Sequence, residues 1–362
     1  MRPHQLPPEQ LFSLLLWGTI ALAILLLLLV LAGGIYQARL DRLNQHRIAC
    51  YQAWETQLSA YLFGGGYQQG PFPPVPTRDS HLFQRFLARY RATLAGKEAD
   101  LLRGIYLSLG MHESLSRRLH DTSPKARAQA VQEIRLFGVA DQFQNVVPLL
   151  EDPIPYVSHV AAQTLTGSQD LQFAQPVMDW ALGQELYQRD RLLRVLEGFG
   201  PELLPWMEHH LPPPTEAPEA WLLFARLAGS HRHQPSEARL LGLLAVPDVD
   251  LQASAIRALA GLADPAIYEH ILPLAWSGAW PIRAQTARAL GLLGGPRAIP
   301  ELLPLTADPV YEVRRNAAQG LADLGHAGIG ALAWLADDPE ADRFARDIAR
   351  ERLEWAQERG HL

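Results

Sequence analysis

At 362 residues, 48% hydrophobic and 19% charged, the chain has the composition of a folded protein, which excludes wholesale disorder. Its net charge of −6 is unevenly divided: residues 1–97 carry 9 Lys/Arg against 4 Asp/Glu (+5), and residues 98–362 carry 23 against 34 (−11). So acidic a remainder argues against nucleic acid as a partner, and the single cysteine, Cys50, excludes an intrachain disulfide.

In chain order, residues 1–10 form a short tail. Leu11 to Ala32 holds no charged residue. Its 22 residues would span roughly 33 Å as a helix, against roughly 30 Å of hydrocarbon in a bilayer. The apolar part of a secretory signal is shorter, about 7–15 residues. The sequence therefore predicts a transmembrane helix over 11–35 that contacts lipid. Arg39, Arg42 and Arg47 follow the span and only Arg2 precedes it, which places the C-terminal side in the cytoplasm.

Residues 36–63 predict an amphipathic helix next to the membrane, with Leu43, Tyr51, Trp54, Leu58 and Leu62 at helical spacing. It packs on its own domain, or else pairs with a second copy as a homodimeric coiled coil. Residues 64–79 hold Gly64-Gly65-Gly66 and a proline run to Pro76, which is linker composition. From Ser80 to Lys97 a further helix presents Leu82, Phe83, Phe86, Leu87, Tyr90 and Leu94, and predicts the first layer of a domain covering 80–362.

That domain is periodic. Ile134, Leu165, Leu196, Leu227, Leu259, Leu290 and Leu321 form one column whose steps are 31 residues, with a single step of 32. In the clearest copies this column is flanked by a stripe of apolar and small residues, such as Leu251/Ala255/Ala258/Leu262 and Val313/Ala317/Gly320/Leu324. Breaks follow at Gly138, Gly167, Gly229, Asp264-Pro265, Gly294-Gly295-Pro296 and Gly325. A fixed step of this kind predicts stacked helix pairs. Pro148, Pro273 and Pro304 share one position in the second helix and predict a kink there.

Asp308-Pro309, then Val313-Arg314, Ala317-Ala318 and Leu321, resemble the short bacterial HEAT-like repeat, the type found in phycobilisome bilin lyases. The resemblance covers residues 98–362, with atypical end units and a degenerate middle over 153–246. It implies an all-α fold, a right-handed α-solenoid of helix pairs, here preceded by the transmembrane helix and a helical stalk. It also implies a structural ladder between layers, an Asp in the turn with an Arg early in the first helix. The matching positions are Asp308 with Arg314 and, by register, Arg283 and Arg127; Gln252 breaks the series. A tetratricopeptide array would need a 34-residue step.

Catalytic chemistry finds little support. His209-His210 point apart on a helix, and His231-x-His233 has no cysteine near it in sequence. HEAT-like iron hydroxylases use several His-Glu pairs, and the chain has only His112-Glu113. No metal, cofactor or catalytic residue is assigned. Trp180, Trp206, Trp276 and Trp334 fall in or at the end of second helices and are candidates for partner binding, although core filling is the more ordinary explanation of them. The resulting expectation is a single-pass protein of a bacterial inner membrane. It would present a cytoplasmic HEAT-like scaffold to other, membrane-associated proteins, without enzymatic activity. The alternatives are a lyase-like or chromophore-handling subunit, and a periplasm-facing scaffold for envelope or polysaccharide export.

Overall fold

The computed structural model describes residues 8–68, 70–184 and 189–358. Every regular element among them is helical, which agrees with the all-α expectation. The chain divides into two compact units. One comprises residues 1–115 with 136–139, and the other residues 116–135 with 140–362.

The first unit is built on one long helix, α1 (Pro8–Phe63). It is followed by 3-10 turns over Gly66–Gln68 and Thr77–Asp79, α2 (Ser80–Arg91) and α3 (Gly96–Ser108). Trp54, Leu58 and Leu62 of α1 are buried, while Leu43 of the same expected stripe is exposed. The buried part packs by aromatic rings: Trp54 meets Phe83 edge-on at 5.0 Å, and Tyr51 meets Phe86 at 5.4 Å. The Gly/Pro stretch contributes Phe72 to this cluster, stacked on Phe83 at 5.5 Å.

The upstream half of α1 requires a correction. Side chains at 8–16, 18, 21, 23 and 24, which take in much of the stretch 11–35, lie outside the described residues. Among the described residues no helix is long and apolar enough to cross a membrane. The expected single-pass placement in an inner membrane is overturned on that finding, and lipid contact through 11–35 loses its basis.

In the second unit the 31-residue column becomes the core. Ile134, Leu165, Leu196, Leu227, Leu259, Leu290 and Leu321 are all buried, each on a first helix of its pair. Around them Leu251, Ala255, Ile282, Ala289, Val313 and Ala317 are buried too, and of the stripes quoted above only Leu324 is half-exposed. Small residues set the distance between layers. At Gly291 an added Cβ would collide with the Gly320 backbone, and at Gly229 it would lie 3.1 Å from the Ala258 Cα. Gly229 therefore serves close approach; its helix (Pro218–His231) continues past it and ends with Arg232 in the left-handed region. The expected break at Gly229 thus falls three residues later, at Arg232.

The prolines act locally. At Pro148 and Pro273 the second element changes from α-helix (Phe143–Val146 and Ile267–Ile271) to 3-10 helix (Val147–Glu151 and Leu272–Trp276). At Pro304 it stays α-helical over Ile299–Leu305. Proline has no N–H for the i→i−4 bond and its ring crowds the preceding turn, so tighter i→i+3 bonding takes over.

Thr286 sits in the buried stripe where other repeats carry Ala, and its hydroxyl has no hydrogen-bond partner. A buried polar group left unpaired costs about 1–3 kcal/mol. Thr286→Val keeps the shape and removes the hydroxyl, so a gain of about 1 kcal/mol in urea unfolding is expected.

Candidate functional site

The expected ladder residues occupy the turns between repeats. Arg283 forks onto the Asp308 carboxylate, Nε to Oδ2 at 2.7 Å and Nη2 to Oδ1 at 3.0 Å. Its remaining nitrogen donates to the carbonyls of Ser277 (2.9 Å) and Gly278 (3.2 Å). Arg127 repeats this arrangement 156 residues earlier, forking onto Asp152 at 2.7 and 2.9 Å and donating to the carbonyls of Asp121 and Thr122. Asp152 is followed by Pro153 as Asp308 is by Pro309. The Arg and its Asp are 25 residues apart in both copies, so each pair joins the start of one repeat to the start of the next.

Arg314 comes to the same turn in another way. It donates to the backbone carbonyls of Asp308 (2.8 Å) and Pro309 (3.1 Å), and its guanidinium lies 4.6 Å from the Phe344 ring centre. Twenty-five residues on from Arg314 stands Pro339, so this copy of the fork has no carboxylate. In the broken copy Gln252 donates to the Leu244 carbonyl, and Ser277 occupies the place of the Asp.

Burial alone would raise the Asp308 carboxyl. The Arg283 hydrogen bonds, the Val310 amide and the Arg283 and Arg314 charges outweigh it and hold the group below the usual carboxylate range. At Asp152 the Arg127 hydrogen bonds come first and the direction is the same.

The four tryptophans separate. Trp276 ends its 3-10 segment at 59% exposure, and Trp334, in the helix His326–Asp337, is 61% exposed. Trp206 is half-buried and stacked on His210 at 4.4 Å. Trp180 is buried, its ring beside His159 and its indole N–H without a partner. It lines a groove of about 520 Å³ whose walls include Pro148, Glu151, Gln175 and Asp179. Burial and the Arg191 charge lower the His159 imidazole, which keeps it neutral near pH 7.

One feature was missed in the sequence. Arg226, Arg257 and Arg288 recur at the 31-residue step on successive first helices. Arg226 and Arg257 line a groove of about 240 Å³ with Ser230 and Ser254. Partial burial, then the Arg226 and Arg288 charges, lower the Arg257 guanidinium from its ordinary value. Each of these arginines stands one residue before its column leucine or two before it, so the row is legible in the same period.

Residues 236–322 match the family of HEAT repeats. No curated protein matches the chain. Among solved structures, an engineered protein is 19% identical, covering 76% of this chain and 75% of its own, with a TM-score of 0.34. Human deoxyhypusine hydroxylase in complex with glycerol is 18% identical, covering 78% and 98%, with a TM-score of 0.30. The karyopherin Kap121p, bound to the extreme C-terminus of the protein phosphatase Cdc14p, is 13% identical, covering 82% and 39%, with a TM-score of 0.43. The matched segment takes in the helices Val249–Leu262 and Trp280–Leu293 with their second elements, and most of Tyr311–Asp323, so these residues form HEAT-like repeats.

Proposed function

We propose that the chain is a non-enzymatic scaffold that holds protein partners on the second elements of its repeats. The observation that carries this is the exposure of Trp276 and Trp334, two repeats apart in an array whose other large side chains are mostly buried. An exposed indole is a large apolar surface left in water, and buried tryptophans dominate the energetics of protein interfaces. A stacked array offers such side chains along one extended surface. The partner is expected to be protein and not nucleic acid, since residues 98–362 carry −11 overall and would repel a polyanion.

The test compares wild type with the Trp276→Ala/Trp334→Ala double variant in quantitative affinity purification from the native host. Loss of a specific co-purifying protein, rebound when the purified pair is mixed, is the expected result, with unchanged circular dichroism. An identical set of bound proteins in both samples would exclude these side chains as anchors. Turnover of a small molecule by the purified repeat array, abolished by substituting one polar residue, would replace the scaffold with an enzyme.

A further inference from the structure

Outside the repeat array, three side chains of the first unit converge. His46 and Cys50 lie four residues apart on α1, so a helix of 3.6 residues per turn presents both on one face. Asp79 ends the 3-10 turn before α2 and is only 6% exposed. His46 Nε2 stands 2.8 Å from Asp79 Oδ1 and 3.6 Å from Cys50 Sγ, and all three ligand atoms lie within 4.8 Å of one another.

The pattern of contacts distinguishes two chemistries. A nucleophilic Cys-His-Asp relay needs the thiol on one imidazole nitrogen and the carboxylate on the other. Here both meet the same nitrogen, Nε2, so no relay runs through the ring. Three lone-pair donors gathered about one point are instead the arrangement that a metal ion joins. Sulfur, nitrogen and oxygen donors together suit a borderline cation, and zinc takes all three.

We propose that His46 Nε2, Cys50 Sγ and Asp79 Oδ1 form a binding site for a divalent cation of the zinc class, with a fourth position left for water. The frame is already rigid. Two ligands stand on one helix, and the Trp54–Phe83 and Tyr51–Phe86 ring contacts fix α2 against it. Arg78 Nε donates to the other carboxylate oxygen, Oδ2, at 3.3 Å and leaves Oδ1 turned toward His46. Arg78 also pairs its charge with Asp79, and its largely exposed side chain can swing away as a cation enters.

Without metal, the ionised Asp79 accepts a hydrogen bond from the His46 Nε2–H, which holds the carboxyl below its usual range. Burial and the Asp79 charge raise the Cys50 thiol, so it stays protonated. On binding, Nε2 gives up its proton and the neutral imidazole takes one from solvent on Nδ1, while the thiol proton passes to solvent. The half-exposed His46 leaves the water position open to solvent.

The test uses the full chain, purified, stripped with chelator, and titrated with Zn²⁺ by calorimetry and with Co²⁺ by absorbance. One Zn²⁺ per chain is expected. Co²⁺ should produce a thiolate-to-cobalt charge-transfer band and the strong visible absorption of a tetrahedral ion. Cys50→Ser, on the half-buried surface of α1, should keep wild-type circular dichroism, lose the charge-transfer band, and bind Zn²⁺ at least about tenfold more weakly. Zn²⁺ should raise the thermal midpoint of wild type and not of Cys50→Ser. His46→Gln provides a second variant that spares the thiol, and it should likewise abolish tetrahedral absorption. Zn²⁺ binding equal in wild type and Cys50→Ser would overturn the proposal and place the ion on surface histidines such as His209 and His210. Absence of a charge-transfer band in wild type would also overturn it.

Discussion

Asp308→Ala should destabilise the repeat array by about 3 kcal/mol, read as the change in urea unfolding free energy followed by far-ultraviolet circular dichroism. The Asp308 side chain is almost wholly buried and engages both forks of Arg283 while accepting from the Val310 amide. Removing it leaves a mostly buried guanidinium without its counter-charge, and that is the expensive direction in which to break an ion pair. Asp308→Asn should cost less, because one oxygen remains to accept from Arg283 and from the backbone. Acid gives the sign. A carboxyl held below its ordinary range adds stability that is complete above about pH 4. That contribution is lost as pH falls through the lowered value. The gap between wild type and Asp308→Asn should therefore narrow below about pH 4. A gap that stays constant down to acid unfolding would show that the pair contributes nothing as an ion pair.

Gly291→Ala should also destabilise, by about 2 kcal/mol in the same measurement, even though alanine is the better helix former by about 1 kcal/mol. The helices Trp280–Leu293 and Tyr311–Asp323 touch there backbone to backbone, and the new methyl would fall on Gly320. No rotamer moves a Cβ aside, so the helices must separate along their shared buried stripe. Gly330→Ala is the control. It lies within the helix His326–Asp337 with nothing within 4 Å of an added Cβ, and it should gain up to about 1 kcal/mol. If both variants gained stability, propensity and not close packing would govern the array.

These two sites mark how far the sequence could be read. The buried column from Ile134 to Leu321 follows from its 31-residue step alone, because a residue facing the same layer in every repeat must recur with the repeat. Gly320 belongs to the visible stripe, but its partner Gly291 does not. Contact between helices depends on how far each has rotated, which no periodicity states. Arg283 and Asp308 were legible as ladder residues, yet their pairing across 25 residues needed the turn geometry that brings one repeat's start to the next. His46 and Cys50 show their helical spacing plainly. Asp79, 33 residues beyond His46 and across a Gly/Pro stretch, could not be placed beside them without the packing of Trp54 and Tyr51.

The 3-10 segments have a mechanical consequence. A 3-10 helix rises about 2.0 Å per residue, against about 1.5 Å in an α-helix, with less favourable hydrogen-bond geometry. In the repeats carrying Pro148 and Pro273, the second element is thus already partly drawn out, while the first helices keep uninterrupted α-helical bonding. Strain applied to those repeats is taken up first by the softer second elements, which behave as short springs beside stiff rods. Trp276 is the last residue of one such spring, so a load on its indole reaches the array through that softer segment.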